Sequence, residues 1–160
     1  DNGIACLSKC DFANIEIIKL KRNNIGMDGI AHFIMLFVYM HCLVRLDLNE
    51  NNLGSDGISL LTKKLNELKL LRRLNVAKNK IKDDENVMKS FCDVIGKMVY
   101  LEKMFIGGNE IGDCGGGELL KYLMRSNVVK EMEIGGNMFS GGLERKFRLL
   151  AEEKQIKIDI

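Results

Sequence analysis

The chain has 160 residues, 46% of them apolar and 29% charged, with 24 basic against 22 acidic side chains and a formal net charge of +2. That length suits one domain with a substantial core, and the near-neutral balance gives no electrostatic reason to expect nucleic acid or an anionic membrane as a partner. Proline is absent, so the turns must be built from Gly and Asn.

Residues 1–14 read as the tail of a partial unit, because Asp1-Asn2-Gly3-Ile4 resembles Asp28-Gly29-Ile30 and Asp56-Gly57-Ile58. No initiator Met and no signal peptide precede this pattern, and a fragment lacking N-terminal repeats is expected. From Ile15 the register is regular. Strand starts fall at Ile15, Leu43, Leu71, Leu101 and Val129, spaced 28, 28, 30 and 28 residues. The second apolar position is Ile18, Leu46, Leu74, Met104 and Met132; the third is Leu20, Leu48, Val76, Ile106 and Ile134. Asparagine follows three residues later each time, at Asn23, Asn51, Asn79, Asn109 and Asn137, and Ile25, Leu53, Ile81, Ile111 or Phe139 closes the turn. A self-similar period of this size marks a solenoid.

Each unit opens with alternating apolar residues, the period of a strand with one buried face. The Asn amide can bond the backbone of neighbouring turns. A helix follows, with Leu61, Leu65 and Leu68, or Phe91, Ile95 and Met98, as its inward stripe. One unit cannot bury that face, whereas stacked right-handed crossovers can. The two extra residues of the third unit are expected within Asp83 to Lys89, because its helix stripe is displaced by 30 residues from Leu61. At the C-terminus, 155–160 contains IKIDI, read as a capping strand on the sheet.

The run Asn51-Asn52-Leu53-Gly54-Ser55-Asp56-Gly57, with Leu61, Leu65 and the 28-residue period, resembles leucine-rich repeats of the ribonuclease-inhibitor type over about residues 15 to 154. Glu85, where Gly is expected, and Gly116, where other units place Ile, depart from it. The resemblance implies an α/β right-handed horseshoe, with parallel strands on the concave face and helices on the convex face, acting as a non-enzymatic protein-interaction scaffold. A regulator of a small GTPase, like Ran GTPase-activating protein, and a structural subunit of a larger assembly are the alternatives. No family catalytic residue maps onto this chain.

Chemical motifs reduce to repeat positions. Asp47-x-Asn49-x-Asn51 imitates a calcium loop but has Asn52 and Ile58 where Gly and Glu are needed. Gly107 to Gly117 lacks the Lys-Ser/Thr of a phosphate loop. His32 and His41 fall on opposite faces of the first expected helix, and Cys6 and Cys10 have no second ligand pair. No cofactor, metal or catalytic group is expected. All five cysteines (Cys6, Cys10, Cys42, Cys92, Cys114) fall in expected helices without a CxxC pair, which reads as reduced, buried thiols in a cytoplasmic or nuclear protein. The apolar run from Ile30 to Val44 contains two histidines and is too short to span a membrane.

Two surfaces are candidate protein-binding sites. On the concave face, out-facing positions form columns: Ile17, Arg45, Arg73, Lys103, Glu131; then Lys19, Asp47, Asn75, Phe105, Glu133; then Lys21, Asn49, Ala77, Gly107, Gly135. Arg45, Arg73 and Lys103 are expected as a basic ladder offset by Asp47 and Glu102. Phe105 is its aromatic anchor, beside a bare floor of Gly107, Gly108, Gly135 and Gly136. The second surface is the first complete helix. Phe33, Phe37 and Met40 align with the core residues Leu61, Leu65 and Leu68, leaving Ile34, Met35, Leu36, Val38 and Tyr39 where the next unit shows Thr62, Lys63, Lys64, Asn66 and Glu67. An exposed apolar patch is expected there, covered by a partner or by a missing N-terminal segment.

Overall fold

A computed structural model describes residues 12–160; the expected partial unit lies mostly outside the described residues, as do Cys6 and Cys10. Strands and helices alternate: β1 Ile17–Lys19, α1 Met27–Phe33, β2 Arg45–Asp47, α2 Gly54–Leu65, β3 Arg73–Asn75, α3 Glu85–Ile95, β4 Lys103–Phe105, α4 Asp113–Arg125, β5 Glu131–Glu133, α5 Gly141–Lys154 and β6 Lys157–Asp159. The strands form one parallel six-stranded sheet in sequential order. Ile18, Leu46, Leu74, Met104, Met132 and Ile158 stand opposite one another along it. This is an α/β leucine-rich-repeat solenoid, an open sheet with its helices on one side.

The core is a continuous seam between sheet and helices. Leu46, Leu74, Met104 and Met132 of the strands and Phe37, Leu61, Leu65, Phe91, Leu119 and Phe147 of the helical side are fully buried. Each unit is completed only by its neighbours, the usual energetics of a solenoid.

The asparagines supply the polar half of that stacking. Asn79 is wholly buried; its Nδ2 donates to the carbonyls of Leu48, Val76 and Ala77 at 3.0, 3.1 and 3.0 Å, and its Oδ1 accepts from Leu53 N at 3.4 Å. Asn51 and Asn109 repeat the arrangement one unit to either side. Each side chain thus joins two consecutive turns whose backbone groups have no strand ladder to bond.

A second ladder on the helix-entry ridge has no obvious sequence signature. Ser55 Oγ accepts from Lys82 N at 3.0 Å, Asp83 Oδ1 from Gly115 N at 2.7 Å, and Asp113 Oδ1 from Ser140 N at 2.7 Å. Asp83 therefore caps the N-terminus of α4, the helix of the following unit. The long unit makes its extra turn in this region: Asp84 N donates to Lys82 O, and the Asp84 side chain caps α3 through Asn86 N and Val87 N. Val87, not Glu85, stands four residues before Phe91 and so takes the place of Gly57.

The first unit differs from the others. Its α-helix ends at Phe33 and continues as a 3-10 segment, Ile34–Tyr39. His41 lies in the turn beyond it, which corrects its expected place on a helix. Cys42 is also in that turn, and Cys114 is exposed, so only Cys92 among the described cysteines is a buried helical thiol. Burial pushes the Cys92 thiol up to about 12, helped by Glu118 and Asp93. Among the described residues no helix is long and apolar enough to cross a membrane.

Candidate protein-binding surface

Parallel pairing brings the expected columns into register. One row runs Ile17, Arg45, Arg73, Lys103, Glu131, Lys157, and the next runs Lys19, Asp47, Asn75, Phe105, Glu133, Asp159. The third column follows the strands, where Glu50 N bonds Ala77 O and Lys78 N bonds Gly107 O at 3.0 and 2.9 Å.

The basic ladder is neutralised differently from the sequence expectation. Arg45 reaches Asp47 at 3.5 Å, as expected, but Glu102 pairs with Arg72 and Lys130 at 3.2 and 2.9 Å, away from the ladder. Lys103 is taken by Glu131 at 2.6 Å, which also holds Lys157 at 2.8 Å. The two ammonium groups, Lys103 first, hold the Glu131 carboxyl down to about 2. Residues 131 and 103 are directly opposite on adjacent strands, whereas Glu102 stands one residue earlier, level with Arg72 and Lys130, and pairs with both.

Arg73 pairs with no carboxylate among the described residues. Its guanidinium lies over the Phe105 ring, 4.0 Å from the centroid, a cation–π contact. Among the described residues, the Nε atoms of Arg45 and Arg73 and the Oδ1 of Asn49 are buried with no hydrogen-bond partner. Phe105 is therefore covered on one face by Arg73.

The glycine floor is not bare. A Cβ on Gly107 would lie 2.4 Å from Glu133 Oε1, and one on Gly135 would lie 2.9 Å from the backbone of Ile160. The Glu133 carboxylate thus lies over Gly107; burial, and then the charge of Asp159, raises its pKa above the ordinary range. Gly108 and Gly136 answer a backbone demand instead. Arg22, Glu50, Lys78, Gly108 and Gly136 occupy the same repeat position with φ of 60°, 54°, 54°, 64° and 72°, a left-handed turn that glycine enters freely.

The calcium-like residues are committed to the repeat. Asp47 Oδ1 accepts from Asn49 N at 3.1 Å, and the Asn51 amide serves the turn.

On the convex side the apolar patch is smaller than expected. Met35, Val38 and Tyr39 are 62%, 40% and 60% exposed, but Ile34 and Leu36 are buried. A 3-10 turn has three residues, so Ile34, Phe37 and Met40 stack on one inward line. Thr62, the counterpart of Ile34, is buried too and donates to Ile58 O at 2.7 Å; this position borders the core in both units.

A family model described as Leucine Rich repeat matches residues 39–61. No curated protein sequence matches the chain. Among solved structures, it is similar to leiomodin-1 actin-binding site 2, with a TM-score of 0.58 and 10% identity over 99% of this chain and 77% of that one. It is also similar to an internalin (inlF) from Listeria monocytogenes str. 4b F2365, with a TM-score of 0.52 and 16% identity. That match covers 82% of this chain and 37% of the internalin. These likenesses establish the fold.

Proposed function

We propose that this leucine-rich-repeat solenoid is a non-catalytic interaction module that holds a protein partner on its concave strand face. The observation that carries the reading is the Arg45–Arg73 pair, in register on β2 and β3, with buried Nε donors that find no acceptor among the described residues and Phe105 beneath Arg73. A buried donor without an acceptor costs about 1–3 kcal/mol, and arginine–aromatic groups are the residues on which interfaces most often depend. Asp47, Asn75, Lys103, Glu131 and Glu133 complete the strip. The 28-residue period with its asparagine turn supports the ribonuclease-inhibitor type of repeat, and unpaired thiols at Cys92 and Cys114 support a reducing cytoplasmic or nuclear setting. The neighbour named as an actin-binding site agrees with a protein-binding role and does not select the partner.

Replacing Arg45, Arg73 and Phe105 together by Ala should abolish partner capture while shifting the melting temperature little, since all three lie outside the core. Capture unchanged in that variant would remove the concave face from consideration. A second reading, a structural subunit of a larger assembly, is favoured by Met35, Val38 and Tyr39, three large apolar side chains left open on one unit. Met35→Lys with Tyr39→Lys should then release the chain from its assembly; retention of the assembly state rejects that reading.

A further inference from the structure

Two charged pairs on the concave face are left with weak neutralisation or none: Arg45 with Arg73 toward one end and Glu133 with Asp159 toward the other. At one end, Arg45 and Arg73 stand opposite each other on β2 and β3. Arg45 has only the 3.5 Å contact to Asp47, and Arg73 has an aromatic ring in place of a carboxylate. Like charges directly opposite on neighbouring strands are unfavourable, so the free protein holds this pair at a cost that an incoming anion relieves.

At the other end, Glu133 and Asp159 stand opposite each other on β5 and β6. Neither makes an ion pair among the described residues, because Lys157 and Lys103 are both drawn to Glu131. The Glu133 carboxylate is held over Gly107, where no side chain competes for it. The charge of Lys78 acts on Glu133, but its own ion pair is with Glu50 at 3.7 Å. Between the two ends lies the half-buried Phe105.

We propose that the concave strip takes an extended segment of the partner carrying an acidic and a basic side chain about four residues apart, the acid between Arg45 and Arg73 and the base between Glu133 and Asp159. The two pairs lie three strand spacings apart across the sheet, about 14 Å, and two residues apart along it, about 6.6 Å, so about 16 Å separates them. Four residues of an extended chain advance about 13 Å, and the flexible ends of the acidic and basic side chains cover the rest. The segment crosses the strands, so an apolar side chain midway falls on Phe105. Arginine supplies a planar fork for the carboxylate, and rotation of its flexible stem exposes the Nε that is shielded in the free protein. This inference rests on the concave-face reading and specifies the chemistry of its occupant.

The test is selection of a random 12-residue peptide display library on the whole chain, followed by affinity measurements on the enriched peptides. The expected result is enrichment of sequences with an acid and a base three to five positions apart. Arg45→Gln with Arg73→Gln should weaken such a peptide by about tenfold or more and weaken its Glu→Gln counterpart much less. Glu133→Gln with Asp159→Asn should do the same for the basic position. Thermal melts of both double variants exclude unfolding as the cause. Enriched peptides that protect the β2–β5 amides from exchange but carry no such charge pair overturn this inference and leave the concave reading standing. Protection confined to the helical side overturns both. If no peptide is enriched, an extended segment is not the occupant, and the triple Ala variant alone decides the concave reading.

Discussion

Gly116 and Phe139 divide one volume between them: a Cβ on Gly116 would lie 2.6 Å from Phe139 Cε1 and 2.6 Å from Leu143 Cδ2. Gly116 stands where other units carry Ile30, Ile58 and Met88, and Phe139 stands where they carry Ile25, Leu53, Ile81 and Ile111. The missing side chain on α4 makes room for the larger one on the turn before α5, and Phe139 then reaches the buried Phe147, ring centroids 5.6 Å apart.

Gly116→Ile restores the usual residue of the repeat and should nevertheless destabilise the protein, by about 1–3 kcal/mol from overpacking. Adding Phe139→Leu should recover much of that loss. Urea denaturation of both single variants and the double variant measures the coupling; additive effects would mean the two positions do not share space.

Removal of the turn amides should follow burial. Asn79→Ala strands the carbonyls and the Leu53 N–H that it joins and should cost about 1–3 kcal/mol. Asn51→Ala should be similar. Asn137 is half-buried and donates to Ile106 O and Ile134 O at 3.2 and 2.8 Å, so its loss should cost less. Asn23 is exposed, with a side-chain bond to Lys21 O at 3.1 Å, and Asn23→Ala should be nearly neutral. Chemical denaturation gives the order, and an Asn79→Ala protein as stable as the parent would contradict the role assigned to the amides.

Stability should fall in acid partly through Glu131. Its carboxyl is held at about 2 in the folded protein, below the ordinary 4.5. A depressed carboxylate contributes stability above its unfolded value and loses it as pH falls through its folded value. The melting temperature should therefore drop between about pH 4.5 and pH 2, and Glu131→Gln should flatten that segment of the curve. Because the ion pairs are exposed, added salt should shrink the difference. Identical acid limbs for the two proteins would assign the loss to other carboxylates.

The repeat period, the strand rows and the amide column were legible because each is a local pattern copied five times. Misalignment by one residue would have turned the Leu46–Leu74–Met104 row to solvent. The apolar patch on the first unit is smaller than its sequence implies for an equally local reason. Its 3-10 turn is decided by packing against α2, and no single residue between Ile34 and Tyr39 announces it. The Asp83 cap leaves no local pattern, because its acceptor and donor are 32 residues apart.

From the sequence by itself came a stacked solenoid with Arg45 opposite Arg73 and Glu133 beside the closing strand, since period and alternation dictate which residues share a face. Tertiary structure alone decided which charges on that face remain free. Lys103 and Lys157 converge on Glu131, Arg73 turns onto Phe105, and Glu133 settles over Gly107. Those choices depend on side-chain directions across neighbouring strands, where a difference of an ångström or two determines which ion pair forms, and a one-dimensional pattern carries no such distances.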